Sequence, residues 1–191
     1  KRHILRPVKE GSSLPPVFYN HYFGWGNEFT AKDLKKEADV YSELGIEYFV
    51  VDAGWFKGGF RKGIGNWDMV DSRKFPEGME NFSRYVEKKG MKFGAWIEIE
   101  FVEKDAEWMK KHPDWFYDAG YLQNPGYYSR EFTDRLLKLD NSSVRNKVAD
   151  WLELWVKRYN IKWVRWDFNN TPLPFWMVNE RGQMGKIHIE Y

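Results

Sequence analysis

Three apolar runs of this sequence each end in a carboxylic acid side chain. The runs and their final acids are residues 45–52 with Asp52, residues 90–98 with Glu98, and residues 160–167 with Asp167. Each run begins with Gly or Asn, which suit the left-handed conformation that ends a helix. A short apolar segment follows, as a strand buried on both faces requires. Acids at the ends of such strands are candidates for chemistry, with structural caps as the alternative.

Helical patterns precede these runs. Thr30 and Asp33 resemble a capping box, and Ser142 or Ser143 could cap a longer helix. A shorter helix is predicted over residues 81–89, and an opening strand over residues 17–22. The predicted inward faces comprise Leu34, Ala38, Tyr41 and Leu44 in the first helix, Phe82, Tyr85 and Val86 in the short one, and Val144, Val148, Trp151, Leu152 and Trp155 in the long one.

The resulting order β-α-β-α-β-α-β predicts a parallel sheet in an α/β fold. Doubly wound sheets and barrels share this alternation, but acids at three successive strand ends favour a (β/α)8 TIM barrel, whose chemistry collects there. Residues 23–27 hold only two glycines and two bulky rings, which disfavours a nucleotide-binding turn. We therefore predict that the chain supplies about the first four β/α units of a barrel.

Two long connections would lie at the active-site face of such a barrel. They cover residues 56–75, which are glycine-rich, and residues 101–136, with a short helix predicted near residues 105–111. Long loops on this face are usually functional. Residues 1–14 are interpreted as a connector from an upstream domain, and residues 15–191 as the N-terminal half of the barrel.

Composition excludes several classes of function. The 191 residues contain no apolar run of 18 or more, which predicts no membrane span. The net charge is +2 and the two signs are interspersed, so nucleic acid is not an expected partner. There are no cysteines, which removes disulfides and thiol nucleophiles, and the four histidines are isolated. No metal and no cofactor are predicted. The compartment stays open, with a slight preference for the cytoplasm.

Aromatic side chains make up 19% of the residues and include 11 tryptophans. Sugar rings have apolar C–H faces that stack on indole, so a carbohydrate ligand is one explanation. A large aromatic core is the other.

Five motifs carry a resemblance to a known family over residues 16–170. They are residues 50–56 (VVDAGWF), 65–67 with 71–78 (GNW and DSRKFPEG), 92–100 (KFGAWIEIE), 112–115 (HPDW) and 164–169 (VRWDFN). In this order they resemble glycoside hydrolase family 36, the α-galactosidases of the melibiase type. The resemblance implies a retaining glycosidase acting on an α-linked galacto-oligosaccharide or a related glycoside.

The resemblance also assigns roles to single residues. Asp167 matches the family's nucleophile, and Arg165, two residues earlier on the same strand face, would keep it ionised. Taken alone, Asp167 could equally be a helix N-cap or part of a surface ion pair. The predicted substrate-binding residues are Asp52 as a hydroxyl acceptor, Trp96 as an apolar wall, Trp67 as a lid, Glu98 as a hydroxyl ligand or a brace for Arg165, Arg165 itself and Asn169. His21 is a further candidate for substrate contact.

The second catalytic carboxyl, the general acid, is expected outside this chain. In the family it follows the sixth strand, and residues 180–185 resemble the segment before that strand. A four-strand half barrel would leave open edges and apolar faces, which predicts poor solubility or self-association unless the remaining chain is supplied. A homo-oligomer is a candidate assembly.

Three positions depart from the family pattern and leave the sugar open. Ala53 replaces the second Asp of a pair that holds sugar hydroxyls, Arg165 replaces Lys, and Ile99 replaces Pro. An arginine fork and a lysine point charge bind hydroxyls differently. The alternatives are therefore an α-N-acetylgalactosaminidase or galactosyltransferase of the same fold, which Ala53 favours, and a noncatalytic carbohydrate-binding fragment.

Overall fold

A four-stranded parallel sheet is the centre of the molecule. The computed structural model describes residues 15–118, 134–180 and 185–190. Its strands are β1 (Phe18–Asn20), β2 (Tyr48–Val51), β3 (Lys92–Ile97), β4 (Phe101–Glu103), β5 (Phe116–Tyr117), β6 (Asp134–Leu137) and β7 (Trp163–Trp166). The parallel sheet has the order β1-β2-β3-β7, and a separate antiparallel sheet has the order β4-β6-β5.

The helices in the described ranges are α1 (Tyr22–Trp25), α2 (Ala31–Glu43), α3 (Gly59–Lys62), α4 (Met79–Lys88), α5 (Glu107–Lys111), α6 (Ser142–Arg158), α7 (Leu173–Asn179) and α8 (Lys186–Glu190). A 3-10 turn, Pro113–Trp115, precedes β5. Helices α2, α4 and α6 connect the four parallel strands in turn, as the alternating sequence pattern predicts.

The middle strands are buried on both faces, as their continuous apolar runs predict. Phe49 and Val50 of β2 have no exposed surface, and neither have Phe93 and Ala95 of β3. Gly94 lies where a side chain would not fit, because an added Cβ would come 2.9 Å from Val50 Cγ2 and 3.1 Å from Trp163 Cβ. The sheet therefore packs tightly across β2, β3 and β7.

Helix α2 begins at the predicted capping box. Thr30 accepts a hydrogen bond from the Asp33 amide, and the Asp33 carboxylate accepts one from the Thr30 amide. Leu34 and Ala38 are buried against the core, as predicted. The prediction for Leu44 is wrong: it is 68% exposed, because the helix ends at Glu43 and Leu44 lies in its C-cap.

Helix α6 is capped one residue earlier than predicted. Asn141 is the N-cap, and its side chain accepts a hydrogen bond of 2.9 Å from the amide of Ser143. The helix buries Val144, Val148 and Trp155, while Trp151 and Leu152 pack partly buried against the same core. The predicted stripe is thus the packed face of the helix.

Several boundaries differ from the predictions. Strand β1 ends at Asn20, because the chain turns into α1 where an extended segment was predicted. Helix α4 begins at Met79, two residues before the predicted start. The connection predicted over residues 101–136 contains β4 and β5, which pair with β6.

The four parallel strands form an open sheet within the described residues, so a closed barrel is not formed by them. The predicted connector, residues 1–14, lies outside the described part of the chain. Across the described ranges, no helix has the length and apolar character needed to cross a membrane.

We predict that Gly65→Ala destabilises the fold more than Gly45→Ala. Both glycines have positive φ, 102° and 79°, so both variants carry the strain of a left-handed residue. Only at Gly65 would the new Cβ also meet packed atoms, 2.7 Å from the Cβ atoms of Val102 and Ala106. Overpacking adds about 1–3 kcal/mol to the loss of unfolding free energy. Urea denaturation of the complete protein measures the difference, and equal losses would contradict the packing at Gly65.

Candidate functional site

A pocket opens at the carboxyl ends of the parallel strands. Its cavity volume is about 230 Å³. The lining residues are Asn20, Tyr22, Phe23, Asp52, Ala53, Phe60, Trp96, Arg165, Asp167 and Asn169. This is the edge at which α/β proteins bind ligands, and the cavity is smaller than the roughly 300–1,000 Å³ of drug-sized sites. One monosaccharide ring is a suitable occupant.

Asp167 follows β7 directly and is held by several donors. Its Oδ2 accepts hydrogen bonds from Trp96 Nε1 at 2.9 Å and from Asn169 Nδ2 at 3.1 Å. Its Oδ1 accepts from the Phe168 amide at 3.0 Å. The side chain remains 28% exposed, so the carboxylate is fixed in position yet reachable from the pocket.

The pKa of Asp167 lies below its ordinary value. Burial alone would raise the pKa, because it disfavours the charged form. The hydrogen bonds from Trp96, the Phe168 amide and Asn169, with the positive charge of Arg165, together outweigh burial. Asp167 is therefore ionised at neutral pH.

Arg165 bridges two carboxylates. Its Nη1 lies 2.5 Å from Asp52 Oδ2 and 3.6 Å from Asp167 Oδ2. Asp52 follows β2 and Asp167 follows β7, so the guanidinium reaches across β3, which lies between those strands. Like charges facing one cavity repel each other, and a shared cation offsets that repulsion.

Asp52 is more enclosed than Asp167, with 2% of its surface exposed. Oδ2 accepts hydrogen bonds from Asn20 Nδ2 and Arg165, and Oδ1 accepts from the Ala53 amide at 2.7 Å. Asn20 is fixed in turn, because its Oδ1 accepts from the Tyr22 amide at 2.9 Å. The ends of β1, β2 and β7 are thus joined through one carboxylate.

His21 lies beneath the pocket and does not line it. It is completely buried, and its Nδ1 accepts a hydrogen bond of 2.9 Å from the Asp52 amide. Burial lowers the pKa of His21 to about 4. The side chain predicted as a substrate contact is a neutral support for the Asp52 backbone.

Trp96 lines the pocket, although its ring is fully buried. It stacks with Phe56 at a centroid distance of 6.1 Å and donates its indole N–H to Asp167. Trp96 thus lies at the pocket as predicted, and its role as an apolar wall for a sugar ring stays a prediction. Its indole also contributes a hydrogen bond to Asp167 from within an aromatic cluster.

Trp67 is not a lid over the pocket. It is 1% exposed, and its ring centroid lies 4.8 Å from that of Phe56 and 6.1 Å from that of Trp96. Asn66 fixes the loop that carries Trp67. Its side chain donates a hydrogen bond to the Lys57 carbonyl and accepts one from the Glu107 amide. The prediction failed because the loop packs inward.

The two acids after β3 are not among the lining residues of the pocket. Glu98 has no exposed surface, and its Oε1 accepts a hydrogen bond of 2.8 Å from the Asn169 amide. It therefore braces the chain after β7. The predicted contacts of Glu98 with a sugar hydroxyl or with Arg165 stay predictions. Glu100 accepts from Trp166 Nε1 at 2.6 Å, and burial raises the pKa of Glu100.

A half-buried lysine fixes the turn that carries Ala53. Lys74 Nζ donates to the carbonyl oxygens of Gly54 at 2.8 Å and Asn27 at 2.5 Å. It lies 4.5 Å from the centroid of the Phe29 ring, and burial lowers its pKa. The Asn27 side chain also accepts from the Phe60 amide at 3.0 Å. The loops after β1 and β2 are therefore held together.

Four pocket residues were not predicted from the sequence. They are Asn20, Tyr22, Phe23 and Phe60. Asn20 had a usable signal, because it is a polar residue at the end of an apolar strand, as Asp52 and Asp167 are. Phe60 comes from the glycine-rich loop, and only tertiary folding brings that loop to the pocket. In the described ranges, no cluster of three or more His, Asp or Glu side chains could hold a metal ion.

Comparison with known proteins places the chain among glycosidases. The Melibiase family model matches residues 1–181. Alpha-galactosidase 1 of Pediococcus pentosaceus is 35% identical over 81% of this chain and 21% of its own length. The chain thus spans about a fifth of the length of the curated relatives it matches.

Solved structures give the same result. The alpha-galactosidase of Lactobacillus brevis superposes with a TM-score of 0.74 at 29% identity, over 92% of this chain and 24% of that protein. A variant of the family 36 alpha-galactosidase AgaA of Geobacillus stearothermophilus, solved in complex with raffinose, has a TM-score of 0.70 at 28% identity. That match covers 83% of this chain and 22% of that protein.

We predict that His21 makes the fold sensitive to mild acid. Folded His21 stays neutral to about pH 4, whereas an unfolded histidine takes up a proton near pH 6.5. Its contribution is therefore complete above pH 6.5 and is lost as the pH falls to 4, by about 3 kcal/mol. His21→Asn, which keeps an acceptor for the Asp52 amide, should flatten the dependence of unfolding free energy on pH in this window. An unchanged slope in urea denaturation would contradict the burial of a neutral His21.

Proposed function

Because the chain belongs to the melibiase family, glycoside hydrolase family 36, we propose that the complete protein is a retaining glycosidase that cleaves terminal α-galactosidic bonds in oligosaccharides, with Asp167 as nucleophile. The observation that carries the proposal is the state of Asp167. It is an ionised carboxylate, fixed by hydrogen bonds and open to a cavity the size of one sugar ring.

The proposed reaction has two displacements. In the first, an oxygen of Asp167 attacks the anomeric carbon while the bond to the leaving-group oxygen breaks, and that oxygen takes a proton from the general acid. The product is a glycosyl ester of Asp167. In the second, a water molecule gives its proton to the same catalytic group, its oxygen attacks the anomeric carbon, and Asp167 leaves as a carboxylate.

The surrounding donors suit this role. An ionised carboxylate offers about four acceptor positions, and Trp96, Asn169 and the Phe168 amide occupy three of them. One position is left for the anomeric carbon. The same donors, with Arg165, stabilise the negative charge that returns to Asp167 in the second displacement.

The general acid is a separate requirement. Retaining enzymes place it about 5–5.5 Å from the nucleophile. Asp52 and Asp167 are the acids among the described lining residues, and Asp52 accepts hydrogen bonds on both oxygens. Asp52 is suited to binding a sugar hydroxyl, and Glu98 and Glu100 do not line the pocket. The proton donor is therefore proposed to come from another part of the complete protein.

We predict that Asp167→Asn in the complete protein lowers kcat by about a thousandfold or more on an aryl α-galactoside, because the amide cannot form the ester. The matched control is Asp71→Asn. Asp71 likewise lies beside an arginine, with 2.8 Å between its Oδ2 and Arg73 Nη2, but it is buried and does not line the pocket.

Mass spectrometry after a slow-reacting 2-fluoro galactoside should find the sugar on the peptide that contains Asp167. A label on another acid would refute Asp167 as nucleophile. If no α-glycoside is cleaved, the glycosidase proposal fails and the alternative of a noncatalytic carbohydrate-binding protein replaces it.

We predict that Trp96→Phe moves the acid limb of the pH profile of kcat/KM to higher pH. Loss of the indole donor removes a cause of the low pKa of Asp167, so a larger fraction is protonated at any acidic pH. A hydrogen bond to a charged group contributes about 1.5–3 kcal/mol, so kcat/KM at neutral pH should fall about tenfold or more. Trp55→Phe is the control, because its indole donates to the Trp96 carbonyl at 2.8 Å. Equal shifts in both variants would argue against a direct effect on Asp167.

A further inference from the structure

The pocket has two chemically different sides. The polar side consists of Asn20, Asp52, Arg165, Asp167 and Asn169, and the other consists of Tyr22, Phe23, Ala53, Phe60 and Trp96. The aromatic members form a chain of edge contacts, with centroid distances of 6.3 Å from Tyr22 to Phe60 and 5.8 Å from Phe60 to Trp96. A bound sugar therefore meets hydrogen-bonding groups on one side and mainly carbon on the other.

Ala53 is the smallest of the lining residues. It directly follows Asp52, lines the pocket and is 2% exposed. Its methyl group neither donates nor accepts a hydrogen bond. The turn that carries it is held by the contacts of Lys74 to Gly54 and Asn27. Ala53 therefore presents a fixed apolar contact to the ligand.

The Asp52 carboxylate can accept few further hydrogen bonds from a sugar hydroxyl. Of about four acceptor positions, Asn20, Arg165 and the Ala53 amide occupy three. One position is left, which is enough for a single hydroxyl. A second hydroxyl beside Ala53 would lose its water without gaining a protein partner from Asp52 or Ala53.

On the basis of the proposed function, we propose that the preferred substrate is an α-linked 6-deoxygalactoside, whose methyl group packs against Ala53. Carbon 6 is the position at which a hexopyranose can present a bare methyl group while keeping its ring hydroxyls for the polar side. The compact cavity of about 230 Å³ favours this methyl over the longer N-acetyl group of an acetamido sugar.

The test compares kcat/KM of the complete protein on three aryl α-glycosides: the galactoside, the 6-deoxygalactoside and the N-acetylgalactosaminide. The 6-deoxygalactoside should be preferred over the galactoside by about tenfold to a hundredfold, the range an apolar pocket achieves against an added hydroxyl. A preference for the galactoside or the N-acetylgalactosaminide would overturn the inference.

Two variants locate the cause of the preference. Ala53→Ser adds one hydroxyl with little volume and should lower the ratio of 6-deoxygalactoside to galactoside by about tenfold. Ala106→Ser is the control, since Ala106 is 3% exposed and does not line the pocket, and it should leave the ratio unchanged. If Ala53→Ser does not fold, the ratio of the unmodified protein decides.

The inference and the proposed function fail differently. If a glycoside is cleaved with dependence on Asp167 but the 6-deoxygalactoside is not preferred, only the inference fails. If none of the three is cleaved in a manner that depends on Asp167, the proposed function fails and the inference with it.

Discussion

The guanidinium of Arg165 holds the site together. Two carboxylates face one small cavity, and without a cation between them their repulsion would favour protonation or separation. Arg165 contacts both, reaching from β7 to Asp52 at the end of β2. The strand between them supplies Trp96, whose indole donates to Asp167. The order β1-β2-β3-β7 is what brings these groups within reach of one another, so the fold and the charge arrangement depend on each other.

Buried residues behind the pocket fix the residues that line it. The neutral ring of His21 holds the Asp52 amide, and Glu98 holds the amide of Asn169. Neither side chain lines the pocket, and neither has exposed surface. Each polar group at these strand ends replaces the water that a backbone amide would otherwise bind. The pocket is therefore preorganised by the backbone around it as much as by its own side chains.

The sequence predicted the features that follow from the periodicity of apolar residues, and it missed the features that depend on tertiary packing. The strand ends before Asp52 and Asp167 could be identified from the sequence, because buried parallel strands are continuous apolar runs and an acid marks the end of each of these two. The position of Trp67 could not be predicted, because a glycine-rich loop can fold over a pocket or into the core. Tertiary contacts such as those of Asn66 determine which of the two occurs. Phe60 reaches the pocket from the glycine-rich loop, which has no periodic signal.

The Asn27 side chain limits how these loops can evolve. Its Oδ1 lies 2.4 Å from where a Cβ would be placed on Gly54 and 2.7 Å from where one would be placed on Gly59. Both glycines also have positive φ, 98° and 61°. A side chain at either glycine is therefore excluded while Asn27 keeps its place, and replacing Asn27 would remove the acceptor of the Phe60 amide. Substitutions at Asn27, Gly54 and Gly59 should therefore be coupled in evolution. The loops on which Ala53 and Phe60 lie are constrained by the same three residues.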